Sequence, residues 1–71
     1  MSREELIARK EVVRADLART HRVLEQAREA AEAASGLRRQ YLRSRVAQLE
    51  ARADALMSEE YRVRLLIDQA R

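Results

Sequence analysis

Few side chains in this sequence can do chemistry. There is one histidine (His21), two tyrosines (Tyr41 and Tyr61), twelve carboxylates and no cysteine. Catalysis needs such groups to converge, and no Gly-rich phosphate loop, His/Cys cluster at metal-ligand spacing or Ser/His/Asp set can be drawn from their positions. Once the helices described below are paired, His21 falls across from Glu50 at an edge position, which describes a solvated histidine beside a carboxylate. Tyr41 and Tyr61 suit partly buried interface positions better than the role of acid or nucleophile. The expectation is a non-enzymatic chain without cofactor or metal.

The densest charge feature runs from Leu37 to Arg45, where Arg38, Arg39, Arg43 and Arg45 follow one another with no acid between Glu32 and Glu50. With Arg28 brought alongside by helix pairing and Tyr41 available for stacking, these arginines form a candidate anion or nucleic-acid contact. A solvated helix face is the competing reading, because the remaining surface interleaves both signs. The net charge of +3 is small for a nucleic-acid binder, and the fourteen arginines to one lysine fit a GC-rich coding sequence equally well. In the hairpin described below, Arg28 and Arg43 flank one seam, so their repulsion calls for Glu29, Glu32 or an external anion.

The elements that would position these groups are long helices. Charged residues make up 38% of the chain and aromatic residues 3%, the composition of solvated helices rather than of a compact mixed fold. Ser2-Arg3-Glu4-Glu5 fits a capping box, with the Ser2 hydroxyl accepting from the Glu5 backbone N–H and the Glu5 carboxylate reaching back to the Ser2 N–H. From there Leu6, Lys10, Val13, Leu17, Thr20, Leu24, Ala27, Ala31 and Ala34 follow alternating spacings of four and three, a heptad seam with two polar entries. At about 1.5 Å per residue this arm is roughly 50 Å long.

Gly36 is the only glycine, near the midpoint of a chain without proline. The pattern predicts that it takes the left-handed conformation that closes a helix C-terminus. A glycine inside one continuous helix of some 70 residues would cost only about 1 kcal/mol relative to alanine and is the alternative. Beyond it the seam resumes at Leu42, Val46, Leu49, Ala53, Leu56, Glu60, Val63, Ile67 and Ala70. Ser58-Glu59-Glu60 could also cap a separate third helix, although Tyr61 stands where a capping box wants Glu or Gln.

Register links the arms. Residues facing across an antiparallel hairpin share one sum, and the two seams agree at 73: Leu6 meets Ile67, Leu17 meets Leu56, Thr20 meets Ala53, Leu24 meets Leu49, Ala27 meets Val46 and Ala31 meets Leu42. Lys10 falls opposite Val63 and Glu60 opposite Val13, in adjacent layers. They either form a register-setting ion pair or extend separately to solvent. The expected fold is all-α, a single domain over 1–71: helix one over about 2–34, a turn at 35–36, and helix two over about 37–71, with a break near 58 as a variant.

A 71-residue core rarely supplies more than about 3–5 kcal/mol of net stability, and without cysteine or a metal cluster oligomerisation is the remaining support. Val12, Val23 and Ala30 on the first arm, with Tyr41, Ala55 and Leu66 on the second, lie off the seam on one side of the hairpin. Ile7, Met57, Tyr61 and Leu65 form a further set near the open end. These sets are the candidate dimer or partner interface. They point to a homodimer, with two hairpins making a four-helix bundle, and to a role as adaptor or small regulator of another protein. Nucleic-acid binding through the arginine-rich tip is the alternative. No apolar run approaches a membrane span and the N-terminus lacks a signal-peptide core, so the expected setting is cytoplasmic. The heptad is still running at Ala70, which fits a piece of a longer chain as well as a complete one.

Overall fold

A computed structural model describes residues 1–70; the expectation that helix two reaches Arg71 lies outside the described residues. Two helices, α1 (Arg3–Ala33) and α2 (Gly36–Gln69), pack against each other along their length in a rod of 54 × 14 × 13 Å. Ser2 caps α1. The Glu5 backbone N–H donates to the Ser2 hydroxyl at 3.1 Å, and the Leu6 N–H donates to the Ser2 carbonyl at 3.0 Å. The second half of the expected capping box differs, since the Glu5 carboxylate accepts from the Ser2 hydroxyl at 3.1 Å instead of from its N–H.

The seam is the core. Leu6, Val13, Thr20, Leu24, Ala27 and Ala31 of α1, and Leu49, Ala53, Leu56 and Val63 of α2, are buried, and every other seam position is half-buried. Among the described residues outside the seam, only Asp16, Ala30 and Glu59 reach even the half-buried class. Leu24, Ala27 and Leu49 form one buried cluster with Val46 against it, which places the 24/49 and 27/46 layers as the shared sum requires. Thr20 is accommodated because its hydroxyl donates to the Asp16 carbonyl of its own helix at 2.8 Å, leaving no orphaned donor in the seam.

One expectation is corrected and two alternatives are decided. Gly36 has the left-handed φ of +62°, yet it opens α2 rather than closing α1. The chain leaves α1 through Ala34 and Ser35, both extended, with the Ala34 N–H donating to the Ala31 carbonyl. Two extended residues cover roughly 7 Å, close to the 8–10 Å between packed helix axes, so the crossing is complete before the bend is made. Second, α2 runs unbroken through Ser58: without a box partner at Tyr61, no local cap competes with the helical bonds. Third, Glu60 is paired not by Lys10 but by Arg64 one turn along its own helix, at 3.2 Å. An i,i+4 partner needs less side-chain ordering than one across the seam.

Candidate interaction surfaces

Cross-helix ion pairs establish which residues share a flank. Arg9 bonds Glu59 through two guanidinium nitrogens, its Nε at 2.8 Å, on one side of the seam. On the other side Arg28 lies 3.6 Å from Glu50 and 3.7 Å from Glu25 of its own helix. Arg28 is thus compensated by Glu25 and Glu50, not by Glu29 and Glu32, and the repulsion expected between Arg28 and Arg43 is relieved without an external anion.

The flank of the Arg9–Glu59 pair carries a shallow groove formed by Asp16, Arg19, Thr20, Arg45, Leu49 and Arg52. Its three arginines meet a single carboxylate, Asp16, which already bonds Arg19. The flank of the Arg28–Glu50 pair carries a second groove, where Glu25, Glu50 and Asp54 stand with Arg28, His21 and Met57. Both grooves lie at the same two layers of the seam: Thr20 and Leu49 floor the first, Leu24 and Ala53 the second. The hairpin therefore presents grooves of opposite sign back to back.

The asymmetry extends along both flanks. Heptad positions on the first hold the six arginines Arg9, Arg19, Arg38, Arg45, Arg52 and Arg62 against three acids, Glu5, Asp16 and Glu59. Among the described residues the second holds seven acids, including Glu11, Glu25, Glu50 and Asp54, against the four arginines Arg14, Arg28, Arg43 and Arg64. The net charge of +3 conceals this division because the opposing excesses cancel.

Apolar side chains accompany both flanks. On the basic side Val12, Val23, Tyr41 and Leu66 are exposed, as is Ala55, while Ala30 is half-buried. On the acidic side Ile7, Met57 and Tyr61 are exposed, with Leu65 beside them on the outer face. Tyr41 and Tyr61 retain 69% and 59% of their exposure, so within one hairpin neither has the partly buried environment expected for an interface tyrosine. Arg38, Arg39, Arg43 and Arg45 are exposed at and beyond the turn, and no described carboxylate lies within ion-pair distance of them.

His21 is exposed in the acidic groove, and among the described residues no cluster of His, Asp or Glu has the geometry to hold a metal ion. No described helix is long and apolar enough to cross a membrane. Comparison with protein-family models, curated proteins and solved structures yields no match to the chain.

Proposed function

We propose that this chain is a non-enzymatic helical interaction module, an adaptor or small regulator of a protein partner, that works by lateral association of its hairpin and first of all pairs with itself into a four-helix assembly. The observation behind the proposal is the exposure of Ile7, Val12, Val23, Tyr41, Met57, Tyr61, Leu65 and Leu66 after the seam has taken its own apolar residues. The hairpin exposes 5462 Å² for its 8.2 kDa, against about 4,500 Å² for a compact monomer of that mass. A rod of two helices cannot cover its own flanks, and large apolar side chains repeating along them mark contact surfaces.

Association of this kind makes melting depend on protein concentration, since whatever binds only the folded hairpin stabilises it by mass action. The expected result is a midpoint that rises with chain concentration, and a smaller rise after Val12→Ser and Leu66→Ser together. A midpoint independent of concentration contradicts the proposal.

A second reading rests on Arg38, Arg39, Arg43 and Arg45, which are exposed and have no carboxylate at ion-pair distance within the described hairpin. It is binding of nucleic-acid phosphates by the tip. Four such contacts predict a log–log salt slope of about −3 to −4, falling by about one for each arginine replaced by alanine. Failure of both mixed-sequence DNA and structured RNA to bind at low salt removes this reading. Arg28 is the weakest member of the set, because Glu25 and Glu50 already hold its guanidinium.

A further inference from the structure

Self-association, on which this inference rests, can occur in two geometries. In the isologous arrangement the same flank of two copies meets face to face. Through the basic flank that brings Arg19, Arg45 and Arg52 of one copy against the same three of the other; through the acidic flank it opposes Glu25, Glu50 and Asp54 to themselves. Either contact sets like charges against one another at a surface where apolar burial is modest, and like-charge juxtaposition is costly.

The alternative is a sideways translation. Because the two grooves occupy the same layers, a second copy pointing the same way, with no shift along the rod, lays its acidic groove on the basic groove of the first. In that displacement α1 lies along α1 of the neighbouring copy and α2 along α2, so residues of like number share a level. Asp16 then lies within one turn of Arg14, Arg9 within one turn of Glu11, and Arg52 within one turn of Glu50 and Asp54. Like charges also approach, Arg45 with Arg43 and Arg62 with Arg64. Of these, Arg64 is already answered inside the hairpin by Glu60.

We infer that the occupant of each flank is a second copy of this chain, joined side-to-side with the basic flank of one hairpin on the acidic flank of the next in parallel alignment. Such a contact is heterologous. It leaves a free basic flank at one edge and a free acidic flank at the other, so copies add in an open row or a closed ring rather than stopping at a dimer. Regulation follows from the same geometry, because a partner carrying only one of the two flanks caps the row.

Charge reversal on one flank at a time separates the geometries. Arg52→Glu with Arg62→Glu reverses the basic flank, and Glu11→Arg with Asp54→Arg reverses the acidic flank. All four positions are exposed, and none of the four side chains takes part in an ion pair within the described hairpin. Circular dichroism establishes that each variant remains helical, and light scattering follows mass. The expected result is that the wild-type chain grows beyond a dimer, each double variant alone associates at least about tenfold more weakly, and an equimolar mixture of the two recovers association. Normal association of the Glu11→Arg/Asp54→Arg chain overturns the inference in favour of isologous pairing through the basic flank. A mixture that stays monomeric overturns it as well. A wild-type chain that never associates removes the underlying proposal of self-association along with it.

Discussion

Leu24 and Val23 are sequence neighbours with opposite duties. Leu24 is 5% exposed in the cluster with Ala27 and Leu49, whereas Val23 is 41% exposed on the basic flank. Truncating Leu24 to alanine removes three methylene equivalents from a core only one layer thick, and should cost about 2–4 kcal/mol in chemical denaturation, enough to unfold much of a marginal hairpin. Val23→Ala should change the stability of the isolated hairpin by less than about 0.5 kcal/mol while weakening association. A large stability loss from Val23→Ala in dilute protein would mean that its side chain is inside the hairpin core after all. The core residues were legible one by one because burial in a heptad depends only on spacing, and the three polar intruders Lys10, Thr20 and Glu60 did not disturb the pattern. Their partners were less legible. Thr20 bonds a carbonyl of its own helix and Glu60 bonds Arg64, both local solutions that a search for cross-helix pairs passes over.

At the level of the elements, α1 begins with a made cap and α2 does not. Ser35 occupies the N-cap of α2 without a side-chain bond, no acid stands in the first turn, and Arg38 and Arg39 lie near the positive end of the helix dipole. The turn is consequently held by its backbone geometry. A Cβ at Gly36 would meet nothing within 4 Å, so the penalty for substitution is the left-handed φ of +62° and not a clash. Gly36→Val should destabilise the hairpin by about 1–2 kcal/mol, or open the two arms into a longer assembly, read as a lower melting midpoint or a higher mass. Unchanged stability together with unchanged mass would contradict the hairpin turn as described. The glycine drew attention to the right place but to the wrong helix end: composition locates a left-handed residue, while the width of the crossing decides on which side of it the chain bends.

For the whole molecule, the division of charge between flanks could be read only after the register was known. Sequence order interleaves the signs, and a net charge of +3 averages the two sides into near neutrality. Pairing at the shared sum sorts those charges into a basic flank and an acidic one, each with its own exposed apolar set. The arginine-rich stretch after the turn is accordingly split by the fold: Arg38 and Arg45 lie on the basic flank and Arg43 on the acidic one, while Arg39 continues the line of the seam past its paired end. That division weakens the tip as a concentrated phosphate site and strengthens the flanks as surfaces for another hairpin. Association through them is the central claim, and sedimentation equilibrium of the intact chain at low salt over roughly 1–100 µM tests it most directly. A mass that climbs above 8.2 kDa as concentration rises, and falls back when salt is added, is the expected result. A helical chain that sediments at 8.2 kDa throughout that range would contradict it.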